Sequence, residues 1–243
     1  MTPPVWILEL ARVLPTPTCF PRDFREELAF GPANVVVADL PRLTTVSVSE
    51  YLGRCGLPIA NVGDERPLQG CVFAWRGEAF LFVSNDDAED EQRYTLAHEM
   101  AHVLRHYRQP RERCVALMGT GILAVLDGDR PPTPTEAIHG ALRGVPLGPH
   151  LRLIDGKASS LDINSVEAEA DRLACELLAP AAVVRSRLMP NASMADIEHE
   201  LTTNFGLPSE MARIYAREFV PLAPGGGHWL KSLTNNLANL SNS

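Results

Sequence analysis

Apolar and polar positions follow two different periods in the middle of the chain, and these give its clearest elements. Two short apolar runs, Cys71-Val72-Phe73-Ala74-Trp75 and Ala79-Phe80-Leu81-Phe82-Val83, flank Arg76-Gly77-Glu78 and predict a β-hairpin. Asn85-Asp86-Asp87 then ends the strand, and the pattern changes to helical spacing. Leu96, Met100, Val103, Leu104 and Tyr107 share one face of the predicted helix, while Thr95, His98, Glu99, His102 and His106 share the other. Glu89, Asp90 and Glu91 suit its first turn, Arg105 and Arg108 its last, and Pro110 is expected to stop it. A second helix is predicted over 165–179, with Val166, Ala170, Leu173, Ala174 and Leu177 as its buried stripe and Pro180 closing it.

The flanking stretches are plainer. Residues 1–60 read as short helices near 5–13, after Pro21 and from Ser47 to a stop at Gly56 and Pro58, with a short strand at 34–37. Residues 114–126 look helical, weakened by Gly119 and Gly121. The Gly/Pro-rich run from Asp127 to Pro149 reads as irregular, with one or two helical turns near Glu136. A long irregular segment inside a compact domain is usually either a functional loop or a disordered one, and this one is read as a mobile lid or specificity insertion near a cleft. Two helices joined through Phe205-Gly206-Leu207-Pro208 fit 193–219, and the tail from Pro221 reads as frayed. The expected fold is α+β, mostly helical, with a small antiparallel sheet packed on the histidine-bearing helix. The expected division is a helical support segment (1–69), a core (70–190) with an insertion at about 108–162, a helical hairpin (191–220) and a tail (221–243).

Composition narrows the classes. With 243 residues, 45% apolar and 21% charged, the chain can bury a sizeable core. No apolar run approaches the ~20 residues of a membrane span, and Met1-Thr2-Pro3-Pro4 has no basic secretory leader, so a cytoplasmic location is expected. Five scattered cysteines without a C-x-x-C pair fit reduced thiols better than disulfides or a thiolate zinc site. A net charge of −8 supplies no general attraction to nucleic acid.

The chemistry lies in His98-Glu99-x-x-His102. At ~100° per residue, His102 lies only ~40° around the helix from His98, so both rings can reach one metal ion. Glu99 is turned ~100° away, well placed to touch a metal-bound water. A chance copy of this motif would usually be an exposed charged face; here the opposite face is apolar, which favours a zinc site. A catalytic zinc takes a third protein ligand. The 165–179 helix offers Glu167 and Asp171, four residues apart on one face, with Glu169 turned away. By spacing alone two readings stay open: Glu167 is a ligand backed by Asp171, or Asn164-x-x-Glu167 is a capping box and the acids merely suit a helix start.

These residues also resemble a known family. Arg93-Tyr94-Thr95-Leu96-Ala97-His98-Glu99-x-x-His102, followed by Glu167-x-x-Ala170-Asp171-x-x-Ala174-x-x-Leu177-Leu178-x-Pro180, is similar to the ImmA/IrrE family of zinc metallopeptidases, with a looser likeness through Phe205-Gly206-Leu207-Pro208. The resemblance implies a gluzincin-like, thermolysin-like core with Zn2+ held by His98, His102 and Glu167. It further implies Glu99 as the catalytic carboxylate and Asp171 as the group orienting a zinc-bound histidine. The chain departs from the pattern in the separation of His102 and Glu167, which stand 65 positions apart. A metzincin site would need Gly at 105 and His at 108, where Arg105 and Arg108 stand.

The implied reaction is peptide hydrolysis through a Glu99-activated zinc-bound water. His106 is the candidate oxyanion donor, with Tyr94 and Tyr107 behind it. The strand before the helix either presents an open edge to an extended peptide or only carries core residues. The resemblance implies a regulatory protease acting on a helix-turn-helix repressor. The alternatives are a zinc-stabilised regulator that sequesters a partner without cutting it, and a DNA-binding regulator using 195–219. Against the latter, residues 191–243 hold three basic and five acidic side chains.

Overall fold

The computed structural model describes residues 3–30, 34–57, 64–145, 147–148, 152–154 and 161–220. Two short helices, α1 (Val5–Ala11) and α2 (Phe24–Phe30), precede strand β1 (Val35–Leu40) and helix α3 (Thr45–Arg54). The predicted hairpin is β2 (Gly70–Trp75) and β3 (Glu78–Ser84). Arg76 and Gly77 both take positive φ (51° and 85°), the backbone a two-residue hairpin turn requires. The sheet order is β1-β3-β2-β4, where β4 is Arg152–Ile154.

The fold is α+β, as expected, but the sheet is mixed. β2 runs antiparallel to both β3 and β4, whereas β1 pairs parallel with β3. The strand leading to the histidine helix is therefore central and paired on both sides along its length, so it offers no edge to a peptide. Both faces of the sheet are covered, which explains its near-continuous apolar runs. Val72, Ala74, Ala79, Leu81 and Val83 face the large helical core, and Cys71, Phe73, Phe80 and Phe82 face α3 through Val48 and Leu52. Full burial of a side chain such as Phe82 or Leu81 stabilises by roughly 1.5–3 kcal/mol each.

Helix α4 (Glu89–His102) starts with three acids and buries Leu96, Ala97, Met100 and Ala101 in the large core. Pro110 does not stop it. After His102 the chain widens into a π-helical segment, Val103–Arg108, and resumes as α5 (Gln109–Met118) with Pro110 in the first turn. Gln109 N–H bonds to Leu104 O, so the wider winding moves the proline to a helix start, where its missing N–H costs nothing.

The segment expected to be irregular is largely helical where it is described. A 3₁₀ turn (Thr120–Ile122) and α6 (Leu123–Leu126) follow α5, and then comes α7 (Pro134–Arg143). Helix α7 is opened by a capping box between Thr133 and Glu136 with Pro134 inside the first turn. This segment has its own small cluster, Cys114, Ile122, Val125, Leu126 and Val145.

Helix α8 (Leu161–Leu178) lies along α4 and buries Ala170, Leu173, Ala174 and Leu177. It is followed by α9 (Ala181–Arg187), α10 (Met194–Thr203) and α11 (Ser209–Ala216). Ile197, Leu201, Phe205, Leu207 and Ala212 join the same core as Ile7, Leu10, Phe24 and Leu28. Arg93 of α4 donates to Gly206 O (3.0 Å), pinning the α10–α11 turn to the histidine helix. Among the described residues no helix is long and apolar enough to cross a membrane. His150 and the tail from Pro221 lie outside the described residues.

Candidate metal centre

Helix α4 sends His98 and His102 to the same side, and α8 brings Glu167 against them across 65 residues of sequence. Nε2 of His98 is 3.0 Å from Nε2 of His102 and 3.2 Å from Oε2 of Glu167; the third edge, His102 Nε2 to Glu167 Oε2, is 3.5 Å. Zinc bonds of about 2.0–2.1 Å in a tetrahedron put ligand atoms about 3.3 Å apart, so the triangle has the size such an ion requires. Asp171 Oδ1 lies 2.9 Å from His98 Nδ1 and also accepts from Tyr94 Oη at 2.6 Å. A neutral His98 that donates from Nδ1 to Asp171 keeps its Nε2 lone pair facing the triangle, the arrangement that orients and strengthens an imidazole ligand. The capping-box alternative for Glu167 does not hold, because α8 begins at Leu161 and Asn164 lies inside it.

The electrostatics favour positive charge at this point. Burial opposes protonation of His98, but hydrogen bonds to Asp171 and Glu167 prevail and raise its pKa to about 10. Hydrogen bonds from His102 and His98 hold the Glu167 carboxyl well below the usual carboxylate range. Burial lowers the pKa of His102 and, more strongly than the opposing charge of His98, raises that of Glu99 to about 8. Two imidazole nitrogens and a carboxylate oxygen at one point, hemmed by further carboxylates, suit a divalent cation of zinc's preferences.

Glu99 is buried, and its Oε2 has no hydrogen-bond partner. A buried polar atom left unpaired is costly and needs an explanation; this one belongs to a residue that lines the same cleft as the triangle, where a reactant can supply the partner. The first residue of β2 presses on the same side chain: a Cβ on Gly70 would sit 2.4 Å from Glu99 Oε1 and 2.6 Å from Thr95 Cγ2. The backbone at Gly70 thus acts as a stop for the carboxylate.

A cleft of about 750 Å³ opens over these groups. Tyr94, Thr95, His98, Glu99, His102, Glu167 and Asp171 line its floor. Residues 67–70 form one wall, and Pro208, Glu210 and Met211 at the start of α11 form another. His106, expected as the oxyanion donor, does not line the cleft; one turn beyond His102, its ring lies against that ring at 5.4 Å between centroids. Tyr107 is buried in the core and its Oη accepts from Gly77 N–H at 2.7 Å. Glu169 pairs with Arg105 at 2.7 Å, turned from the triangle as its spacing implied. No described residue of the 108–162 insertion lines the cleft, and His139 is on the exposed surface of α7.

Residues 70–120 match the Peptidase_M78 family, the IrrE N-terminal-like domain. The matched stretch runs from the Gly70 stop through the hairpin, His98, Glu99 and His102 to the end of α5, and it supports the ImmA/IrrE metallopeptidase resemblance. Glu167 and Asp171 lie beyond it, so their part in the IrrE-like site stands on the distances above. No curated protein matches the chain. Sequence reasoning missed the stop at Gly70 and the walls at 67–70 and 208–211. Only the lone glycine opening a strand was a signal for any of them, since such a residue often marks a close approach.

Proposed function

We propose that the protein is a zinc-dependent endopeptidase of regulatory type, with His98, His102 and Glu167 as metal ligands and a helix-turn-helix transcriptional repressor as substrate. The observation that carries this reading is the three-atom triangle beside a buried, unpartnered Glu99 oxygen. A zinc ion held there supplies Lewis acidity, polarising a carbonyl and acidifying water. Glu99 Oε2 accepts the proton of the attacking water and returns it to the leaving amine. Asp171 keeps His98 in one tautomer, and Tyr94 holds Asp171 in place. The backbone at Gly70 limits how far the Glu99 carboxylate can turn. Tyr94, a phenol that lines the cleft, donates its one hydroxyl proton to Asp171, so it serves the His98–Asp171 pair and does not take the oxyanion role expected of His106. The repressor rests on the ImmA/IrrE resemblance.

Glu99→Gln tests the mechanism. Co-expression of the native protein with a repressor encoded next to it is expected to yield a repressor fragment. The variant should retain zinc, measured by metal analysis, and lose at least about 10²–10⁴-fold in cleavage. Undiminished cleavage by that variant rules out Glu99 as the base.

A further inference from the structure

Three carboxylates stand around the mouth of the cleft, away from the metal triangle. Asp87 lies where β3 gives way to α4, Glu91 in the first turn of α4 and Glu210 in the first turn of α11; all three are exposed. With Glu99, Glu167 and Asp171 they make six carboxylates lining the cleft, and among the described residues no Lys or Arg lines it. No salt bridge among the described residues reaches Asp87, Glu91 or Glu210, while Arg93 is engaged by Glu89 and the Gly206 carbonyl. Partial desolvation at the cleft, followed by the charges of Asp90, Asp87 and Glu210, raises the pKa of the largely exposed Glu91, so these acids act on one another across the opening. Acidic clusters are ordinary on a chain of net charge −8. This one is continuous with a cavity of about 750 Å³ that also holds the buried, unpartnered Glu99 oxygen.

We propose that the cleft selects polypeptide segments carrying an Arg or Lys side chain close to the scissile bond, received by Glu91, Glu210 and Asp87. The proposal rests on the hydrolytic reading above and names the substrate chemistry of that site. Leu68 and Met211, which also line the cleft, supply apolar surface for the aliphatic stem of such a side chain. The carboxylates beyond them supply the acceptors that its charged head needs. Glu91 precedes His98 by seven positions on α4, roughly 10 Å along the helix. An extended peptide covers that distance in about three residues. The basic side chain therefore falls within about three positions of the cut, on the side directed to the N-terminal end of α4.

Zinc-loaded Glu99→Gln protein binds without cutting and isolates recognition from chemistry. Fluorescence anisotropy with two labelled peptides, identical except for one Arg replaced by Glu, is expected to give about tenfold tighter binding of the Arg peptide. The preference should shrink as sodium chloride is raised and when Glu91 and Glu210 are both changed to Gln in the same background. Equal binding of the two peptides, or none of either, overturns the proposal, as does a preference that survives the double substitution. Digestion of a proteome-derived peptide mixture by the native protein gives a second readout. Cuts enriched for Arg or Lys on one side support the proposal, and cuts without that bias overturn it. A complete absence of cuts counts against the hydrolytic reading alone, and the anisotropy result then decides charge selection.

Discussion

The long helical run that starts at Glu89 has two parts on either side of its π-helical turn, and they are held by different means. In α4 the inward-facing positions are held from two sides. Leu96, Met100 and Ala101 are locked in the large core, while His98, Glu99 and His102 meet α8, β2 and one another. Beyond Arg108, α5 to α7 rest on five buried residues of their own, and α7 leaves Ile138 and Leu142 exposed at 59% and 80%. Their side-chain ties to the rest are few among the described residues: Arg111 over the Tyr107 ring, the Arg76–Asp129 ion pair near the hairpin turn, and Arg105, which bonds Gln109 at the start of α5 as well as Glu169 on α8. The triangle is thus held chiefly by the packing of α4 and α8, and no described residue of the inserted helices lines the cleft above it.

The largest effect is expected where the two ligand helices meet. Glu167→Ala removes one corner of the triangle and leaves two imidazoles facing a void. Bound zinc, measured on the purified protein, should fall from stoichiometric to trace, with cleavage lost alongside. Full zinc occupancy in that variant would dissociate α8 from the metal site. Next comes Asp171→Asn, which keeps an acceptor for His98 Nδ1–H and Tyr94 Oη but loses the negative charge. Metal affinity, from chelator competition, should weaken about 10–100-fold, the usual effect of such a partner. Gly70→Ala tests the stop behind Glu99. The new methyl group meets Glu99 Oε1 and Thr95 Cγ2 well inside contact distance, so the carboxylate must turn. Turnover should drop about 10²-fold, as a small misplacement of a reacting group costs, with zinc content and KM retained. A loss of folding or of zinc instead would make Gly70 merely structural.

How far these features were legible follows from the kind of order each has. Helix α4 was readable because its apolar and histidine positions obey one period and its acidic start is local chemistry. The hairpin was readable for the same reason, down to its turn at Arg76-Gly77. Partners in space were not. The short strand expected at 34–37, which is β1 (Val35–Leu40), carries no mark that it pairs parallel with β3. Nothing near Gly70 announces contact with a carboxylate from the next helix. Glu167 was ambiguous because an acid three residues after Asn164 suits a helix start equally well; only the true start at Leu161 removes that reading. The π-helical turn has no residue signature, so Pro110 looked like a stop. Helix α7, by contrast, did have its signal in Thr133-Pro134-x-Glu136, and the surrounding Gly and Pro masked it.

The smallest effect on the site is expected from the inserted helices, and a matched pair of substitutions measures it. Leu126 and Leu173 are both almost wholly buried, one in the small cluster of the insertion and one on α8 beside the triangle. Truncating either to Ala opens a cavity that costs about 2–5 kcal/mol locally. In Leu126→Ala the loss should appear as faster hydrogen exchange confined to α5, α6 and α7, while zinc affinity stays within about twofold of the native value, as expected for sites without shared partners. In Leu173→Ala the same cavity lies in the packing that holds Glu167 and Asp171 against α4, so zinc affinity should fall together with protection of both helices. If Leu126→Ala weakened zinc binding as much as Leu173→Ala, the insertion would be coupled to the triangle through the π-helical turn, and the contrast between the two parts of the run would fail.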